Sequence, residues 1–81
     1  MSKVHEVQRV QADQEYLHLR VDGRTYAIRW EKCSAPLSRA TFEQRQRMEV
    51  APSGYGIHWP EIDEDLSLSW LIQNAVEMAP G

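Results

Sequence analysis

Residues 15–30 read Glu15-Tyr16-Leu17-His18-Leu19-Arg20-Val21-Asp22-Gly23-Arg24-Thr25-Tyr26-Ala27-Ile28-Arg29-Trp30. These are two alternating runs joined by a dipeptide suited to a type I′ turn, the signature of a β-hairpin. With Asp22-Gly23 as the two-residue loop, Leu19 falls opposite Tyr26 and Leu17 opposite Ile28, so both strands turn apolar residues to one face. The other face then carries Tyr16 beside Arg29, His18 beside Ala27 and Arg20 beside Thr25, which makes it basic and partly aromatic.

Upstream, Val4, Val7 and Val10 are β-branched but spaced by three, which predicts a first strand over 3–11 with room for a bulge. Downstream of Trp30 the alternation stops. Ser34-Ala35-Pro36-Leu37 reads as an N-cap with proline in the first turn, and Thr41 caps a second short helix running to about Met48. A short strand is expected over Met48–Ala51, a turn at Pro52-Ser53-Gly54, and an extended run from Tyr55 to Trp59 that Pro60 halts. Leu68, Leu71, Ile72, Ala75 and Val76 follow the spacing of one helical face, with Ser67 as N-cap and Leu66 placed to staple onto Leu71. Asp63, Glu64 and Asp65 would sit ahead of that helix, where its dipole favours negative charge. The expectation is one α+β domain over 1–81 with frayed residues 79–81: a small antiparallel sheet, built from an N-terminal β-meander plus one or two short strands, with two or three short helices on one face.

The chain has 81 residues, 42% hydrophobic and 26% charged, which suffices for one thin-cored domain and leaves too little for two. Its net charge of −3 is unevenly spread: residues 1–40 carry seven Lys/Arg against five acids, and residues 41–81 two against seven. An acidic C-terminal half disfavours nonspecific nucleic-acid binding, which depends on neutralising phosphates. A single cysteine, Cys33, makes no internal disulfide and fits a reducing cytoplasm. The polar N-terminus lacks a signal peptide's apolar stretch, and no segment approaches the roughly 20 apolar residues of a membrane span. A cytoplasmic protein without membrane contact is expected.

The most distinctive stretch is Gly54-Tyr55-Gly56-Ile57-His58-Trp59-Pro60-Glu61-Ile62-Asp63-Glu64-Asp65-Leu66-Ser67. Gly54 and Gly56 permit a tight turn and close backbone approach, and Trp59 next to Pro60 would plug the sheet and end the strand. As a phosphate loop the stretch fails, because no Lys-Ser/Thr pair follows and the acids would repel an anion. As a calcium loop it lacks alternating oxygen ligands. His5, His18, His58 and Cys33 are too scattered for zinc. No metal or cofactor is therefore expected. Catalysis would have to use His58 with Asp63 or Asp65, or Cys33 with a histidine, and neither spacing is diagnostic.

Together with Leu37-Ser38-Arg39-Ala40-Thr41, Glu43-Gln44-Arg45 and the hairpin, this stretch resembles the bacterial domain-of-unknown-function family 2442 over nearly the whole chain. The resemblance implies a small α+β domain, found alone or ahead of a helix-turn-helix, whose genes often neighbour another small gene in an arrangement similar to toxin and antitoxin pairs. The chain departs from the family pattern at Phe42, where proline is common, and at Trp70, where a small residue is common.

The functional expectation is a non-enzymatic protein-binding module, the antitoxin-like or regulatory member of such a pair, whose protein partner is the neighbouring gene's product. A dimeric DNA-binding transcriptional regulator is the alternative, and a small enzyme or metal-binding protein using His58 with Asp63/Asp65 ranks last. Partner contact, or homodimer formation, is expected at Tyr16, His18, Arg20 and Arg29 on the outer hairpin face. It is expected too at Trp70, which falls about 200° from the apolar stripe of its helix and should be partly exposed. Arg45 is expected to pair with Glu61, Asp63 or Asp65, leaving Gly54, Gly56, His58, Trp59, Pro60, Asp63 and Asp65 structural.

Overall fold

The structure, a computed structural model, describes residues 5–78. In chain order the elements are β1 (Val7–Ala12), β2 (Tyr16–Val21), β3 (Arg24–Arg29), α1 (Trp30–Cys33), α2 (Ala35–Arg39), α3 (Phe42–Gln46), β4 (Glu49–Val50), β5 (Gly56–Trp59), a 3-10 turn (Pro60–Ile62), β6 (Glu64–Ser67), α4 (Leu68–Asn74) and β7 (Val76–Met78). They form an α+β fold with two antiparallel sheets, one ordered β1-β2-β3-β7 and the other β4-β5-β6.

The hairpin has the register its sequence requires, Leu19 with Tyr26, Leu17 with Ile28, Tyr16 with Arg29, His18 with Ala27 and Arg20 with Thr25. Asp22 and Gly23 both adopt positive φ, at 52° and 81°, as a type I′ turn demands. In β1 the register shifts between Val7 and Arg9. That bulge at Gln8 explains valines spaced by three: it turns Val7 toward Val21 and Val10 toward Leu19, on one face. The Gln8 side chain is spent on the turn, accepting from the Gly23 N–H at 2.8 Å. The strand begins at Val7 where 3–11 was expected; Lys3, Val4 and the expected fraying at 79–81 lie outside the described residues.

Leu17, Leu19, Val21, Tyr26 and Ile28 from the first sheet share one core with Ile57 and Trp59 from the second, and with Trp30, Cys33, Leu37, Leu68 and Leu71 from the helices. Trp30 and Trp59 meet edge to face, their ring centroids 6.2 Å apart at 84°. Each indole N–H is satisfied by a backbone carbonyl, Trp30 by Asp13 at 2.8 Å and Trp59 by Arg45 at 3.0 Å. Burial of two tryptophans therefore costs no unpaired donor.

The caps behave as read: Ser34 caps α2, Ser67 caps α4, and Thr41 with Gln44 forms a full capping box on α3. Three expectations about the elements need correction. α3 ends at Gln46, two residues short of Met48. α4 ends at Asn74, and Val76, expected on its apolar face, instead pairs with Ala27 and stands 68% exposed. Only β3's open edge, invisible in local periodicity, explains that switch. The acids 63–65 do not cap a helix: Asp63 is left-handed (φ 51°) and closes the 3-10 turn, while Glu64 and Asp65 begin β6, drawn there because Leu66 pairs with Ile57.

Arg45 does not pair with the acidic segment. Its guanidinium donates to the carbonyls of Leu37, Gln14 and Ser38 at 2.9, 3.1 and 2.9 Å, and lies 5.3 Å from the centre of the Trp30 ring. Leu37 and Ser38 sit in α2's last turn, where the Leu37 carbonyl also accepts the Ala40 N–H at 3.3 Å and the negative end of the helix attracts a cation. Arg47 takes the acidic contact, hydrogen-bonding Glu61. Arg45→Ala should accordingly lower stability in urea denaturation by about 2 to 3 kcal/mol, whereas Glu61→Gln, at an exposed pair, should cost much less.

Candidate functional site

The pleat that sends Leu17, Leu19, Tyr26 and Ile28 inward sends the alternate residues of the four-stranded sheet outward. The register lines them up in two cross-strand rows, Arg9, Arg20, Thr25 and Met78 in one, Gln11, His18, Ala27 and Val76 in the next, with Tyr16 and Arg29 beyond. Arg9, Gln11, Arg20, Arg29, Val76 and Met78 are exposed, and Ala27 is buried among its neighbours.

Within this face the Arg29 guanidinium lies 5.0 Å from the centre of the Tyr16 ring, and Tyr16 and His18 have ring centroids 5.9 Å apart. Arg29 also lies 3.6 Å from Glu31 and 3.9 Å from Glu15. Asp13, in the turn between β1 and β2, accepts from the Nε2–H of His18 at 2.6 Å and from the backbone N–H groups of Glu15 and Tyr16 at 2.8 and 2.6 Å. The His18 hydrogen bond, followed by that from Tyr16, holds the Asp13 carboxyl below its ordinary value of 3.8. Sequence reasoning found Tyr16, His18, Arg20 and Arg29. It missed Arg9 and Gln11, whose facing depends on the bulge, Val76, assigned to a helical face, and Met78, which was given no element.

The second sheet's outer row is Glu49, His58 and Asp65. The Nδ1–H of His58 donates to Asp65 Oδ1 at 2.8 Å, leaving Asp63 apart in its turn. Gly54 (φ 72°) and Gly56 hold this sheet close to its neighbours: a Cβ would come within 2.0 Å of the His5 carbonyl at the first and 2.7 Å of the Leu66 carbonyl at the second. Trp59 is fully buried and Pro60 opens the 3-10 turn. Trp70 is half-buried against the core despite its place off the apolar stripe.

Two further groups bear on catalysis. Burial pushes the Cys33 thiol up to about 12, the nearby Arg45 charge opposing only weakly, so the thiolate a nucleophile needs is suppressed. Ser69, His5 and Asp22, from three distant segments, form a chain in which Ser69 Oγ lies 3.1 Å from His5 Nε2, and His5 Nδ1 lies 2.9 Å from Asp22 Oδ2. No local motif announces it. Asp22 also accepts from the Glu6 N–H at 2.9 Å and its own N–H donates to the Glu6 carbonyl, so the chain ties the N-terminal segment to the hairpin turn and α4. Among the described residues no group of three His, Cys, Asp or Glu side chains is placed to hold a metal ion, and no helix is long and apolar enough to cross a membrane.

Fold and surface define a small two-sheet α+β domain with one sheet face basic and partly apolar. The family described as protein of unknown function (DUF2442) matches residues 7–77, and the chain belongs to it. It is also similar to a protein of unknown function from Rhodospirillum rubrum, whose 2.75 Å crystal structure aligns with a TM-score of 0.74 at 26% identity over 88% of each chain. No curated protein matches.

Because the Asp13 carboxyl is lowered in the folded state, the stability it supplies is present above pH 3.8 and is lost as pH falls through its folded value. Asp13→Ala should cost about 1 kcal/mol at pH 7, through its turn hydrogen bonds. In thermal melts the gap from the unsubstituted protein should narrow below about pH 3.8.

Proposed function

We propose that this domain is a non-enzymatic protein-binding module, the neutralising or regulatory member of a two-gene pair, acting in the cytoplasm. The observation that carries the reading is the outer face of the four-stranded sheet, where Tyr16, His18, Arg20 and Arg29 stand beside the exposed Val76 and Met78. Aromatic and arginine side chains flanked by apolar surface are the composition of interface hot spots. The polar groups that suggest chemistry have structural work: His58 holds Asp65 across strands, and Ser69, His5 and Asp22 tie down the N-terminal segment. The gene arrangement that the family resemblance implies would supply the class of partner, a second small protein. Trp70, half-buried on α4, is a secondary contact in this reading.

The test is affinity purification of the tagged protein from its native host, followed by binding measurements with the co-purifying protein. A Tyr16→Ala/Arg29→Ala variant should keep its fold and bind at least about 30-fold more weakly, the equivalent of about 2 kcal/mol. Light scattering of the domain alone reports whether the same face pairs two copies. A dimeric DNA-binding regulator would instead bind duplex DNA with an affinity falling steeply with salt, and that result, with no protein captured, would overturn the proposal.

A further inference from the structure

Like charges placed directly opposite on neighbouring strands destabilise a sheet. The bulge in β1 nonetheless sets Arg9 opposite Arg20. Arg24, Arg29 and Arg47 each pair with a glutamate, and Arg45 is consumed by carbonyls. Arg9 and Arg20, like Arg39 and Lys32, have no acidic partner among the described residues, but these two stand directly opposite each other. Beside them the surface dips into a depression of about 340 Å³ lined by Arg9, Gln11, Asp13, His18, Arg20 and Thr25, together with Leu19. The one acid there, Asp13, stays ionised at neutral pH but turns its oxygens to three hydrogen bonds and is outnumbered by the two guanidinium groups. The remainder offers two guanidinium forks with an amide and a hydroxyl as neutral donors, a set matched to a carboxylate. The Arg9 row ends, across the sheet, at the exposed Met78.

We infer that this depression is an anion site that receives the carboxylates of an acidic segment of the partner protein, with the segment's apolar residues continuing onto Met78 and Val76. The inference rests on the protein-binding reading above and names the partner's chemistry. Two uncompensated charges lower the stability of the free domain and are neutralised on binding, so stability and binding should respond in opposite directions when they are removed.

The probe is a fluorescein-labelled peptide of four glutamates followed by three leucines, with a lysine-for-glutamate peptide, inorganic phosphate and a short DNA duplex in parallel. Fluorescence anisotropy should show the glutamate peptide binding, the lysine peptide and the duplex binding at least tenfold more weakly, and phosphate displacing the peptide only through ionic strength. Arg9→Gln/Arg20→Gln should weaken the glutamate peptide at least tenfold while leaving the melting temperature equal or higher. Unchanged peptide binding by that variant, a lowered melting temperature, no peptide binding at all, or tighter binding of duplex or phosphate would each overturn the inference. If the natural partner stays bound to the double variant but is lost from Tyr16→Ala/Arg29→Ala, the protein-binding reading stands and the anion site alone fails.

Discussion

The edge-to-face contact of Trp30 and Trp59 joins the two sheets, β1-β2-β3-β7 and β4-β5-β6, and the rest of the structure depends on it. Trp30 follows the last strand of the hairpin and Trp59 ends β5. Their indole N–H groups reach the backbone of the β1–β2 turn at Asp13 and the end of α3 at Arg45, so each ring fixes a connection as well as filling space. Arg45 closes the arrangement by lying over Trp30 while drawing Gln14 and the end of α2 together. In a chain of 81 residues few other side chains bury as much apolar area at one point.

Joining the sheets through their apolar faces decides what is left outside. The four-stranded sheet turns out Arg9, Arg20, Arg29 and His18, and the three-stranded sheet turns out Glu49 and Asp65 around His58. The uneven charge of the two halves of the sequence thus becomes a difference between two surfaces. A cluster of arginines facing solvent costs a thin-cored domain stability, and that cost is intelligible when a partner neutralises it.

The hairpin was legible because Asp22-Gly23 and strict alternation specify one register with no outside help. The caps at Ser34, Thr41 and Ser67 were legible for the same reason, since a hydroxyl and the N–H it bonds lie within one turn. Whatever depended on distant partners was hidden. Val76 continues a helical stripe on paper and becomes a strand because the edge of β3 is unfilled; Arg45, expected at the acids, turns to the carbonyls at the end of α2, and Arg47, two residues on, takes Glu61. The outer face was half visible: its β2 and β3 residues follow from the hairpin, while Arg9 required the bulge and Met78 the late strand. The tie between Ser69, His5 and Asp22 joins residues from opposite ends of the chain and leaves no local trace.

The central claim, that the outer face of the four-stranded sheet is the surface kept for a partner, is tested most directly by two-dimensional NMR of the isotope-labelled domain titrated with its purified partner. The account predicts the largest amide shifts at Gln11, His18, Arg20, Thr25, Arg29 and Met78, with Glu49, His58 and Asp65 unmoved. Shifts confined to Glu49, His58 and Asp65 would contradict it.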